Sequence, residues 1–309
     1  MVALIYDPLF LEHDTGTHHP ESADRLRSIL MHLEPLRNRL LWLEPVSAGY
    51  NTLLSVHTEA HIALVEEASA AAAAIDADTQ TSLHSYEAAL KAAGSGIVAV
   101  DAIASGRASS AFAAVRPPGH HATAERAMGF CLFNNIAVAA RYAQECGYEK
   151  VFIVDFDVHH GNGTQAIFYD DPTVFYFSSH QYPAYPGSGD SVEEGIGGGE
   201  GFTMNFPLLP ESGDETILPI YEEELPKAVA AFGPDIILVS AGYDLHESDP
   251  LASLYISTEA IRDIVQSIME CLDVPKIFFL EGGYNLEALG ECVKATLEVM
   301  LASEGSASD

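Results

Sequence analysis

This sequence of 309 residues predicts an α/β domain, a mostly parallel sheet with helices on both faces. Two observations carry the prediction. Short apolar runs of strand length alternate with longer helical segments along the chain, which is the pattern of a parallel sheet covered on both faces. Polar clusters also follow four of those runs at their C-terminal ends: His120 and His121, then Asp155, Asp157 and His159, then Asp244, then Tyr284. Open α/β sheets place their ligand crevice at that edge. Neither linker nor repeat divides the chain, so residues 1–309 read as one domain.

In chain order, Val2–Tyr6 reads as the first strand and Asp7–Glu21 as a loop holding His13, His18 and His19. Leu26, Ile29, Leu30 and Leu33 mark one face of a helix at the 3.6-residue period. Ala-rich Thr58–Ile75 is a second helix, and Ser85–Ser105 a third, with Ser85 as N-cap and Gly106 as stop. Ala111–Val115 is a strand, and Asn134–Cys146 a helix closed by Gly147. Val151–Phe156, β-branched and aromatic, is the central buried strand. Thr173–Phe177 is the next, followed by a loop over Ser178–Gly201. The GIGGGEG stretch in that loop precedes a strand, Phe202–Phe206, whereas a phosphate cradle should open a helix. Asp214–Phe232 is helical in its second part, Asp235–Ser240 a strand, Thr258–Leu272 a helix and Lys276–Leu280 the last strand. A helix over about Leu286–Leu301 precedes a frayed tail, Ser303–Asp309.

Composition narrows the function classes. Forty-five acidic residues against 14 basic ones give a net charge of −31. Such a surface repels nucleic acid and attracts cationic ligands, or serves solubility in a salty cytoplasm. No apolar run is long enough to span a membrane, and MVALIYDP lacks the basic and apolar regions of a signal peptide. Cys131, Cys146, Cys271 and Cys292 have no paired spacing, so they read as reduced thiols in a cytoplasmic protein.

The stretch VFIVDFDVHHGNG at 151–163 concentrates the chemistry. If the chain stays extended, Asp155, Asp157 and His159 share one face at a buried strand end. Buried carboxylates there need compensation, and a metal ion supplies it. The alternative is a strand followed by a polar turn with surface histidines. Asp157, His159 and Asp244 make a three-ligand set that leaves a position open for water, as catalytic zinc requires; oxygen-rich ligands also suit other divalent metals. His120 and His121 form a tandem pair for proton transfer, with Asp155 and Asn162 suited to orient them. Tyr284, on a Gly-Gly turn, has a hydroxyl to offer to a developing oxyanion. Taken alone, each of these has an ordinary reading, as loop histidines, a turn or a helix cap. Together they point to metal-assisted amide hydrolysis.

RPPGHHA, GFCLFNN, VDFDVHHGNGTQ, SAGYD and EGGYNL resemble the zinc-dependent histone deacetylase family, which includes bacterial amidohydrolases acting on acetyl-lysine or acetylpolyamines. The resemblance runs from YDPLFLEHDTG to the last helix. Asn162, the HPE at His19–Glu21 and the Glu of EGGYN look like its class II pattern. It implies a single-domain arginase–deacetylase fold, with one catalytic zinc on Asp157, His159 and Asp244. It makes His121 the general acid–base and His120 mainly electrostatic, oriented by Asn162 and Asp155 respectively, and has Tyr284 polarise the carbonyl. Phe130 and Tyr185 would wall the acyl-lysine channel, Gly129 would offer its carbonyl inside it, and Arg25 would lie in an inner product-exit cavity. One structural potassium is implied near Asp155, Asp157, His159, Ser178 and Ser179, and a second near the Phe168, Asp171 and Val174 carbonyls. Leu251 follows Asp249-Pro250, where polyamine-specific relatives place an acidic gatekeeper; this looks like the lysine-deacetylase version. Asp78 or Thr79 would anchor substrate at the rim. The expected substrates are acetylated lysine proteins or peptides, or alternatively acetylpolyamines. An arginase-type ureohydrolase would need two metals, and a non-enzymatic acetyl-lysine reader would not need Tyr284 or the metal ligands.

Overall fold

The computed structural model describes residues 1–306, the side chains of 305 and 306 excepted. The strands are β1 (Val2–Ile5), β2 (Leu41–Leu43), β3 (Ser110–Ala113), β4 (Val151–Asp155), β5 (Val174–Gln181), β6 (Thr203–Leu208), β7 (Ile236–Ala241) and β8 (Lys276–Leu280). They form one sheet in the order β2-β1-β3-β8-β7-β4-β5-β6, and every neighbouring pair is parallel. The inner strands β1, β3, β4, β7 and β8 are buried at every residue, because both faces are covered. The helices are α1 (Ala23–Leu33), α2 (Tyr50–Leu54), α3 (Glu59–Ala71), α4 (Ser85–Ala104), α5 (Asn135–Glu145), α6 (Asn162–Phe168), α7 (Asp214–Pro219), α8 (Leu225–Phe232), α9 (Thr258–Glu270) and α10 (Leu286–Ser306).

Local chemistry accounts for the element ends. The Thr58 hydroxyl accepts from His61 N and opens α3, Asn134 accepts from Ala137 N at the start of α5, and Ser257 accepts from Ala260 N at the start of α9. Small residues let α4 and α5 approach closely: a Cβ on Gly96 would overlap Ala139. Phe152 of β4 stacks on its register partner Phe175 of β5 with centroids 4.8 Å apart. Such a pair adds about 1 kcal/mol to the burial of both rings.

The structure departs from the sequence expectation in several places. Ser85 begins α4 but does not cap it; its hydroxyl accepts from Ser82 N and lies 2.7 Å from His13 Nδ1. The second predicted helix ends at Ala71, because Ala72 turns left-handed at φ 47°. The 214–232 segment is helical throughout, with a widened turn at Ile220–Glu224 after Pro219, whose ring has no N–H to donate. Strand β5 runs on to Gln181, through residues expected to be loop. The helix predicted to end near Leu301 continues to Ser306, so 303–306 are helical; 307–309 of the expected tail lie outside the described residues.

Candidate active site

Strands β3, β8, β7 and β4 are neighbours, so the four polar clusters meet along one stretch of the sheet's C-terminal edge. The extended backbone expected through His159 stops at Asp155, and residues 156–161 turn away. Asp157 and His159 reach the edge on that turn, while Asp155 stays behind them at the strand end. The closest ligand atoms of Asp157, His159 and Asp244 lie within 4.8 Å of one another. His159 Nδ1 is 3.2 Å from Asp157 Oδ1 and 3.1 Å from Asp244 Oδ2. Backbone donors fix both carboxylates: His159 N and Gly282 N donate to Asp157, each at 2.8 Å, and Val158 N donates to Asp244 at 3.0 Å.

Two glycines make room for this arrangement. A Cβ on Gly242 would overlap the Asp157 carboxylate, and one on Gly282 would overlap Asp244 and Asp157 together. The donor set fits a divalent cation: two buried carboxylates and one imidazole converge, and no Lys or Arg pairs with them among the described residues. Gly282→Ala is therefore expected to displace both carboxylates. Metal affinity, read by titration with a chromogenic chelator as competitor, should fall at least about 10–100-fold, the usual cost of disturbing groups that orient ligands.

The tandem histidines stand in different environments. His120 Nδ1 lies 3.1 Å from Asp155 Oδ2, which also accepts from the Tyr176 hydroxyl at 3.1 Å. Burial opposes charge on His120, but Asp155, Asp157 and Glu281 outweigh it and hold its pKa at about 10. His121 Nδ1 lies 2.8 Å from Asn162 Oδ1. The Asn162 amide donates to His121 O and to Met128 Sδ, so its oxygen must be the atom that faces the ring. His121 therefore carries its proton on Nδ1 and leaves Nε2 free to accept one. Burial, then the neighbouring His120 and His159, push its pKa well below 6.5. The two environments thus push the pair in opposite directions, His120 toward the charged form and His121 toward the neutral one.

A cavity opens onto these groups, lined by Asp78, Pro118, His120, His121, Gly129, Phe130, His159, Tyr185, Leu251, Gly282 and Tyr284. The Tyr185 ring meets the His121 ring edge-on at 5.1 Å, and the Phe130 ring meets Tyr284 at 5.9 Å. Gly129 and Phe130 both have positive φ, at 56° and 68°. A Cβ at Gly129 would overlap the His121 ring, so only glycine lets the loop lie against that base. Of the two rim candidates, Asp78 lines the cavity, whereas Thr79 is buried away from it.

Arg25, expected in an inner product-exit cavity, is fully buried and lies outside the lining of the channel cavity. Its Nε donates to Gly283 O at 2.7 Å, it also donates to Glu281 O, and its guanidinium lies 5.1 Å from the Tyr284 ring centre. Its charge is balanced by Glu21, which also binds Arg116. Burial would raise the Glu21 pKa, but the two guanidinium groups hold it at about 2. Arg25 thus braces the turn that carries Tyr284.

Sequence reading missed the role of Glu281. Its carboxylate accepts from Gly119 N at 2.7 Å, His120 N at 3.1 Å and Ser240 Oγ at 3.1 Å, tying the His120 loop to β7 and β8. Burial raises its pKa to about 7. An acid closing an apolar strand was the available signal, the same one that marked Asp155.

A histone deacetylase domain matches residues 19–300. The chain belongs to the histone deacetylase family. A probable deacetylase of Archaeoglobus fulgidus is 37% identical over 295 residues, covering 93% of this chain and 82% of that protein. Histone deacetylase 10, chloroplastic, of Oryza sativa subsp. japonica is 39% identical over 320 residues, covering 94% of this chain and 71% of that one. The crystal structure of the HDA15 HD domain superposes with a TM-score of 0.93 at 37% identity, covering 97% of this chain and 88% of that one. The fold is therefore the arginase–deacetylase α/β fold, and this member of the histone deacetylase family is a deacetylase-type amidohydrolase.

Proposed function

We propose that this histone deacetylase family member hydrolyses the acetyl amide of N-acetyl-lysine side chains, releasing acetate and the free amine, with zinc as its divalent metal. The observation that carries the reading is one cavity lined by both Phe130 and Tyr185. It ends on His159 of the metal-ligand set, the His120–His121 pair and Tyr284. Held by Asp157, His159 and Asp244, zinc would supply Lewis-acid polarisation and a water of lowered pKa. Nε2 of neutral His121 takes a proton from the attacking water and later returns it to the leaving amine. His120, charged and held by Asp155, stabilises negative charge on the acyl centre. The Tyr284 hydroxyl donates to the acyl oxygen, and the Gly129 carbonyl accepts the substrate amide N–H, a role supported by Gly129 lining the cavity.

The potassium assignments belong to the same proposal. Ser178 is the register partner of Asp155, in keeping with the first set, and the Ser179 hydroxyl lies 2.6 Å from that of Tyr221. In the second set the Asp171 carboxylate is taken by Arg141 at 2.7 Å, so only backbone oxygens of Phe168, Asp171 and Val174 remain to serve. All four cysteines are free thiols, which supports a reducing, cytoplasmic setting. Among the described residues no helix is long and apolar enough to cross a membrane.

Asp78 at the cavity mouth and the net charge of −31 favour a second reading, an acetylpolyamine substrate. Leu251 favours the first, because it offers no carboxylate to a remote ammonium. Acetyl-lysine peptides are therefore expected to exceed acetylspermidine and acetylputrescine in kcat/KM, with Leu251→Glu shifting the ratio toward polyamines. A wild-type preference for acetylpolyamines of about tenfold, or roughly 1.4 kcal/mol, reverses the assignment.

A further inference from the structure

Asp249 sits on the loop after β7, five residues beyond the metal-ligating Asp244, and only 8% of it is exposed. A carboxylate at that depth needs hydrogen bonds to offset its lost hydration. Its partners are three backbone N–H groups from two separate loops. Oδ2 accepts from Tyr284 N at 2.7 Å and from Asn285 N at 3.2 Å, and Oδ1 accepts from Leu251 N at 3.0 Å. The Asn285 amide reinforces the junction by donating to Ser248 O at 3.0 Å.

Tyr284 and Leu251 both line the cavity, one at the reacting end and the other as the residue that sorts substrates. The preceding residue, Gly283, has φ 118°, a conformation that resists almost every side chain and leaves glycine free to leave it. Arg25 holds this turn by its carbonyls at Gly283 and Glu281, whereas Asp249 holds it by its N–H groups. The turn is thus gripped from both sides, and only the Asp249 grip extends to Leu251.

We propose that Asp249 is a positioning residue that places the Tyr284 hydroxyl and the Leu251 side chain together, so that catalytic geometry and substrate selection share one anchor. The inference rests on the reading of Tyr284 as the donor to the acyl oxygen. It explains why the position holds a carboxylate: an asparagine of equal size would turn an NH₂ toward at least one of the three donors.

The test is a double-mutant cycle on the zinc-loaded full chain with an acetyl-lysine peptide, checking metal content and unfolding midpoint for each variant. Asp249→Asn in the wild-type background should lower kcat by about 10–100-fold, the scale of misplacing a catalytic group by roughly 1 Å, with a smaller change in KM. In the Tyr284→Phe background the same substitution should cost less than about threefold, since the hydroxyl it positions is already gone. The kcat/KM ratio of acetyl-lysine peptide to acetylputrescine should also shift in Asp249→Asn. Equal losses in both backgrounds, or no loss in the wild type, overturn the proposal. If Tyr284→Phe alone is as active as the wild type, the donor reading of Tyr284 fails; a loss from Asp249→Asn that persists there refutes the coupling separately. Should Asp249→Asn not fold, Asp249→Glu, which keeps the charge but displaces the carboxylate from the three N–H groups, is expected to give the same non-additivity, and additive losses overturn the proposal.

Discussion

Asp157→Ala is expected to take bound metal from about one per chain to near zero and to reduce hydrolysis to the level of chelator-stripped protein. In the proposed site Asp157 would supply one of three ligands, and its two oxygens accept from His159 N and Gly282 N. Removing it leaves His159 and Asp244 as a two-ligand remnant. It also orphans two backbone donors in a buried place, at about 1–3 kcal/mol each. Elemental analysis after gel filtration reads the first effect, and steady-state kinetics with and without added zinc reads the second. In the wild type, chelation should abolish activity and zinc should restore it, whereas in Asp157→Ala excess zinc should restore nothing. A variant that keeps both metal and turnover shows that the cation sits elsewhere. Two tightly bound transition metals per chain in the wild type move the chemistry toward the two-metal, arginase type.

Much of this site was legible because its chemistry is local in sequence. Val151–Val154 has the composition of a buried strand, and two acids and a histidine directly beyond it favoured a cation over a polar surface turn. The order of strand and cluster, four times over, implies that Tyr284, Asp244 and His121 share one sheet edge. What stayed hidden depends on long-range backbone hydrogen bonds, which leave no periodic trace. Asp249 was legible only as the neighbour of Leu251, because its partners Tyr284 N and Asn285 N lie 35 and 36 residues away. Tyr176 read as one more apolar strand residue, yet its hydroxyl shares the Asp155 oxygen with His120. Helix α6 begins at Asn162 among glycines that signal a turn, and β2 is too short, at 3 residues, to show a period. The resemblance alone placed Arg25 in a product cavity, and no local sequence pattern pointed to its partners. Here the available anion is Glu21, and the remaining guanidinium donors are taken by the carbonyls of the Tyr284 turn.

Tyr284→Phe is expected to cut kcat by about 10²–10³, or roughly 3–4 kcal/mol, while leaving metal content and fold intact. The Tyr284 ring is fixed by Phe130 at 5.9 Å and by the Arg25 guanidinium at 5.1 Å, contacts that phenylalanine keeps. Its backbone N–H remains on Asp249, so the turn should not move. Only the hydroxyl is lost. Burial, and then the Asp244 carboxylate, push its pKa well above 10, so it stays protonated and acts as a donor across the working pH range. The acyl oxygen gains charge as water attacks, so this hydrogen bond is stronger in the transition state than with bound substrate. The loss should therefore fall on kcat, with KM moving less. Steady-state kinetics on an acetyl-lysine peptide, with zinc content and unfolding midpoint matched to wild type, measures it. A variant within about threefold of the wild type, far below the cost of losing an oxyanion donor, makes Tyr284 a structural wall residue and leaves carbonyl polarisation to the metal and His120 alone.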